Sequence, residues 1–147
     1  EGGTVPSVVA EKAHGEIDVR FKYDAERIKI ENTMNDLIRN PYTKGVEVKL
    51  ERKGYRPPMN PDERVYKLCK LTEEIGEELD MEIKWMATGG GSDANFISAM
   101  GVPSIDAMGP VGGGSHGINE YIEISSIEPR IKLFTKLIER LAWDNEL

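Results

Sequence analysis

The rhythm of apolar and polar positions changes near residue 53. Before that point the period is two. Ile17, Val19, Phe21 and Tyr23 alternate with Glu16, Asp18, Arg20 and Lys22, which predicts a strand over 16–23 with one apolar and one wet face. Val46, Val48 and Leu50 alternate with Glu47, Lys49 and Glu51 and predict a second half-exposed strand. Residues 4–9 read as a short strand that Pro6 confines to an edge or a bulge. Asp24 is placed to cap a helix running to about Arg39, with Ile28, Met34, Leu37 and Ile38 on a ragged apolar side and Asn40-Pro41 as its stop. Two strands, a helix and a strand with one solvated sheet face make an antiparallel α+β layer. Its exposed edge calls for a cover, such as a second copy of the chain.

After Lys53 the pattern becomes that of alternating helices and covered strands. Arg56-Pro57-Pro58 forms an extended linker. Asn60 is expected to cap the next helix, with Pro61 at its first position and Glu63 closing a capping box. Val65, Leu68, Cys69, Thr72, Ile75 and Leu79 then recur at three and four, so one stripe is buried. Apolar strands are predicted over 83–87 and 102–107. Between them lie a glycine loop (Thr88-Gly-Gly-Gly-Ser-Asp93), whose Asp93 would cap the following helix, and that helix, through about Met100. A second glycine loop leads to a strand over 121–124. A last helix, capped by Ser125 or Ser126, should bury Ile131, Phe134, Leu137, Ile138 and Leu141. This order is α/β, and such sheets bind ligands beyond the carboxyl ends of their strands, where both glycine loops are expected to meet.

Composition narrows the function. The chain has 147 residues, 31% of them charged, and a net charge of −7, which argues against nucleic acid as a partner. No apolar run reaches the roughly 18 residues a membrane span requires. Cys69 is alone, so no disulfide framework exists and a cytoplasmic location is expected. The chain opens on Glu1-Gly2-Gly3-Thr4 and runs directly into strand-like sequence, as expected of a piece of a longer protein.

The candidate chemistry lies in three places. Arg56, on backbone stiffened by two prolines, suits bidentate recognition of a carboxylate, though a solvated linker arginine would look the same. Gly89, Gly90 and Gly91 offer backbone amides to an oxyanion or carboxylate. A phosphate-cradling loop is disfavoured, because no lysine lies in it and Asp93 would repel phosphate. His116 follows a triple glycine, a run that suits close passage of backbone past a ligand. Its imidazole could ligate a metal, with Asp106 or Glu120 behind it. One histidine cannot hold zinc, which takes three or four protein ligands, and His14 reads as a solvated loop residue.

Three stretches resemble one family. Thr88-Gly-Gly-Gly-Ser-Asp-Ala-Asn-Phe96, Gly101-Val-Pro-Ser-Ile-Asp106 and Gly109-Pro-Val-Gly-Gly-Gly-Ser-His-Gly-Ile-Asn-Glu-Tyr-Ile-Glu-Ile124 are similar to the C-terminal part of the M20 zinc carboxypeptidases, within them to glutamate carboxypeptidases of the G2 type. The resemblance implies that residues 1–52 are part of an α+β lid or dimerisation domain. It implies that residues 53–147 are the C-terminal part of a three-layer α/β catalytic domain. It implies a hydrolase that uses two zinc ions to cleave a peptide or N-acyl amide bond next to a free carboxylate. His116 would be one metal ligand, and Arg56 with Gly89–Gly91 would hold the substrate's carboxylate. The family's other ligands and its general-base glutamate have no counterpart here, so no catalytic residue is assigned and the isolated chain is expected to be inactive. The implied partners are a small carboxylate-bearing peptide or N-acyl amino acid, an N-terminal half and a second copy of the protein. An N-acyl-amino-acid deacylase of the same family, or a non-catalytic dimerisation or binding module, are the alternative readings.

Overall fold

The computed structural model describes residues 1–143. Its elements are α1 (Asp24–Arg39), α2 (Glu63–Glu78), α3 (Ala94–Ala99), β1 (Gly112–Gly113), β2 (Tyr121–Ile122) and α4 (Ile124–Trp143). Helices with a small antiparallel sheet are consistent with part of an α/β domain. The sheet is much smaller than the alternation predicts. β1 pairs β2, with Gly112 opposite Ile122 and Gly113 opposite Tyr121, and this is the only ladder among the described residues.

Residues 16–23, 46–51, 83–87 and 102–107 therefore depart from expectation: they carry no ladder. An alternating pattern prepares a face for burial, but a strand exists only when a neighbour accepts its backbone hydrogen bonds. Residues 4–9 are a turn instead. Val8 donates to the Val5 carbonyl at 3.3 Å, and Pro6 takes the turn position that its fixed φ favours.

The helices follow local chemistry more closely. The N-cap of α2 is Asp62 and not Asn60; its carboxylate accepts from the Arg64 and Val65 amides. The N-cap of α1 is Tyr23, and Glu26 reaches back to accept from the Lys22 and Tyr23 amides. The end of α2 reverses sharply. Met81 N–H donates to the Gly76 carbonyl at 2.8 Å and Asp80 N–H to that of Glu77 at 3.2 Å, with Asp80 at φ +54°, where glycine is usual. The reversal lays Ile83 against Gly76: a Cβ on Gly76 would come within 2.6 Å of Ile83 Cγ1.

The core lies between α2 and α4, where Leu68, Ile75, Leu133 and Leu137 are buried. Leu71, Leu79, Met81, Ile83, Ile105, Met108 and Leu141 pack around them. Burying each such side chain contributes about 1.5–3 kcal/mol. Thr72 is buried among them because its hydroxyl donates to the Leu68 carbonyl at 2.8 Å. Of the five α4 residues expected to be buried, Leu137 is buried and Leu141 packs against the core, while the other three are not. Leu133 and Leu137 face α2, whereas Ile131, Phe134 and Ile138 remain about half exposed. Leu133 is among the sites the periodicity missed. Cys69 is only partly buried; burial, aided by the charge of Glu73, raises its thiol pKa. Among the described residues no helix is long and apolar enough to cross a membrane.

Candidate functional site

Pro57 and Pro58 keep the linker extended, and Tyr55 fastens its start. The Tyr55 hydroxyl donates to Asp24 at 3.2 Å. Its ring stacks on Phe21 at 6.3 Å, with the Arg27 and Arg52 guanidinium carbons 5.3 and 5.6 Å from the centroid. Further along, Asn60 Nδ2 donates to the Lys22 carbonyl at 3.0 Å. The first glycine loop is tied to the same linker, since Asn95 Nδ2 donates to the Pro57 carbonyl at 2.8 Å. These bonds hold Arg56 beside the loop.

The side chain of Arg56 crosses the glycines. A Cβ on Gly91 would lie 2.6 Å from Arg56 Cδ, so glycine leaves the room that the arginine occupies. Arg56 Nη1 donates to Asp93 Oδ1 at 3.0 Å, and the guanidinium sits over the Phe96 ring at 5.6 Å. Asp93 contributes no capping bond to α3, contrary to expectation; Ser92 Oγ accepts from the Ala94 amide at 3.2 Å in its place. Within the loop, Thr88 Oγ1 accepts from the Gly90 amide at 3.2 Å.

A second guanidinium reaches the loop. Arg20 Nη1 donates to the Gly89 carbonyl at 3.5 Å, and a Cβ on Gly89 would lie 3.3 Å from that nitrogen. Its Nε is held by Asp18 at 3.0 Å. Arg20 was legible as one wet position of an alternating segment and as the end of the stretch from Val8 that resembles part of the family's lid, but with no role assigned. Lys22 shares that wet face, so no local signal in the sequence sets Arg20 apart.

The second glycine loop is shaped by its own hairpin. A Cβ on Gly112 would come within 2.4 Å of the Tyr121 carbonyl, and one on Gly114 within 2.8 Å of that of Asn119. The bare strip thus accommodates the close approach of its own hairpin. Gly117 N–H donates to the Gly114 carbonyl at 2.9 Å, closing a turn in which His116 has φ +66°. That conformation is uncommon for a residue with a side chain, and histidine tolerates it better than most. The imidazole is exposed. Among the described residues it has no hydrogen bond to Asp106 or Glu120, and none joins the two glycine loops. Nor do three or more His, Cys, Asp or Glu side chains cluster as a metal site among them. The residues present do not by themselves hold a zinc ion.

Two surface depressions of about 440 and 320 Å³ flank α4, and neither is lined by Arg56, Gly89–Gly91 or His116. The arginines and the glycine loop are open to solvent. What they can do chemically is grip an anionic group with charged, planar donors against bare backbone.

Comparison with known proteins places these residues in context. The pattern of peptidase family M20/M25/M40 matches residues 2–140. Carboxypeptidase G2 of Pseudomonas sp. (strain RS-16) is 28% identical over 143 residues, covering 94% of this chain and 34% of that protein. Succinyl-diaminopimelate desuccinylase of Xanthomonas euvesicatoria pv. vesicatoria (strain 85-10) is 30% identical over 134 residues, covering 86% and 34% respectively. The desuccinylase of Xylella fastidiosa (strain M23) is 37% identical over 76 residues, covering 51% and 20%. The chain spans about a third of the length of the first two, at 34% each. No solved structure gives a significant match.

Proposed function

Because the chain belongs to peptidase family M20/M25/M40, we propose that it is the carboxylate-recognising part of a hydrolase that cleaves a peptide or N-acyl amide bond beside a free carboxylate. The observation that carries this reading is the convergence of Arg56 and Arg20 on the Gly89–Gly91 loop. Two guanidiniums over side-chain-free backbone suit a carboxylate better than a neutral group. In the full-length protein, Arg56→Ala should raise KM for an N-acyl glutamate. Hydrogen bonds to charged groups contribute about 1.5–3 kcal/mol, and solvent screening of this exposed pair places the effect near the lower end, about tenfold. The matching amide, which lacks the charge, should be nearly indifferent. Equal losses for both compounds would sink the reading.

His116 is proposed as one ligand of a metal site completed by residues outside this chain. Its exposed ring, free of the hydrogen bonds described above, supports this. The isolated chain is then inactive, and in the full-length protein His116→Ala should lower the zinc bound per molecule. Unchanged metal content would remove His116 from the site. A protein that supplies those outside residues, as an N-terminal half, is the implied partner. A homo-oligomer is proposed as well, since α1 buries no residue and leaves Ile28 and Leu37 about half exposed. Sedimentation of the full-length protein tests it, and a monomer across the concentration range would refute it. A cytoplasmic location is proposed from the lone Cys69.

A second reading within the class is a deacylase of N-acylated amino acids, favoured by the desuccinylases among the relatives. A panel of N-acyl and N-peptidyl substrates distinguishes the two by which bond is cut.

A further inference from the structure

We propose that Asp93 is a specificity-determining residue, a charge filter that admits a singly charged carboxylate at Arg56 and disfavours a dianion such as a phosphonate. The inference rests on the carboxylate reading above. A guanidinium carries five N–H donors in a fixed fork. Asp93 takes only Nη1, at 3.0 Å, which leaves the Nε–Nη2 edge, the one that matches a carboxylate's two oxygens. Phe96 supports the plane from one side at 5.6 Å and Gly91 gives the room for it to lie across the loop. The Asp93 carboxylate is free for this task because it makes no capping bond: Ser92 Oγ receives the Ala94 amide and Asn95 Oδ1 the Ser92 amide.

The second guanidinium is also paired with an aspartate, but differently: Asp18 holds Arg20 Nε at 3.0 Å and Nη1 donates to the Gly89 carbonyl, so Arg20 adds charge to the cluster and not a second free fork. Two arginines and two aspartates leave the cluster with no net charge. An incoming monoanion gains the geometry of the free fork at little electrostatic cost. A dianion brings an additional charge close to Asp93, whose side chain is 91% exposed, with no surplus of positive charge to offset it. Two unit charges about 4 Å apart in water interact strongly enough for roughly a fivefold change in affinity.

The test compares butyrate with propylphosphonate, its dianionic analogue, by NMR titration of the full-length protein at a pH where the phosphonate is doubly charged. The native protein should bind butyrate in preference. Asp93→Asn, and Asp93→Ser as a second variant, should raise propylphosphonate affinity about fivefold relative to butyrate, and the gain should shrink at high salt. An unchanged ratio in both variants overturns the filter, while loss of butyrate binding in Arg56→Ala keeps the carboxylate reading. If Arg56→Ala binds butyrate as well as the native protein does, the carboxylate reading fails and the filter with it.

Discussion

Helices α1 and α2 each run sixteen residues, and each begins beside an aspartate paired with an arginine, Asp24 with Arg27 and Asp62 with Arg64. Yet α2 buries Leu68, Thr72, Ile75 and Gly76, and α1 buries nothing. Arg27 on α1 is tied to Asp24, Glu31 and the Tyr55 ring. Ion pairs and capping can start a helix, but an unbroken apolar stripe at three and four is what brings it against a partner. The ragged apolar side of α1 leaves Ile28 and Leu37 outside. The α2–α4 pair holds the fold, and the region beside α1 presents arginines to solvent.

Breaking the packed region should have the largest effect. Ile75, fully buried at 0% exposure, replaced by Ala should cost about 2–5 kcal/mol in a denaturant titration. Leu37→Ala on α1, by contrast, should leave the midpoint in place at concentrations where the protein is monomeric.

The glycines sharpen the contrast. In an open helix Gly→Ala stabilises by about 1 kcal/mol. Gly76→Ala should reverse that sign and destabilise by about 1–3 kcal/mol, because the new Cβ meets Ile83 Cγ1 at 2.6 Å and the Met81 carbonyl at 2.9 Å. Gly91→Ala puts its Cβ equally close to Arg56 Cδ, at 2.6 Å, but that is a flexible side chain near solvent. The expected outcome is unchanged stability with weakened carboxylate binding, read by titration alongside thermal unfolding.

Acid should act on both helices and be felt mainly through one. The Arg64 side chain, with the Val65 amide, holds Asp62 below its ordinary pKa of 3.8, and the Arg27 side chain does the same for Asp24. A carboxyl whose pKa falls on folding stabilises fully above its ordinary value and loses that contribution as pH drops through the lower folded one. Lowering the pH from 5 to 2 should therefore reduce global stability through Asp62, since α2 carries the core. Asp62→Asn should flatten that part of the profile, and Asp24→Asn should leave the global midpoint almost unaltered.

Much of the helical framework was legible because its causes are local. The repeat Leu68, Thr72, Ile75 marked the buried face of α2, and Asn40-Pro41 marked the end of α1. Strands were legible only as candidates. Residues 16–23 alternate cleanly, but pairing requires a second backbone, and the described residues offer none. At the site, Arg56 and Gly89–Gly91 were singled out from their own composition, while Arg20 was passed over because nothing near it in the chain distinguishes it from Lys22. The second triple glycine was noticed from its composition, but only the structure shows that Tyr121 and Asn119 lie beside it.

The order of residues by itself determined which segments are helical and which stripe of α2 turns inward, because those outcomes depend on neighbours within a turn or two. The helix starts moved by one or two residues, and α4 begins at Ile124, ahead of the expected Ser125 or Ser126 cap and within the strand expected over 121–124. Tertiary structure decided that Arg56 meets Asp93 across 37 positions and that Arg20 meets Gly89 across 69. It also decided which of the two apolar faces of α4 is covered. Such contacts depend on how elements dock, and docking is set by the summed packing of the α2–α4 core and the linker bonds of Tyr55 and Asn95, which no short stretch of sequence contains.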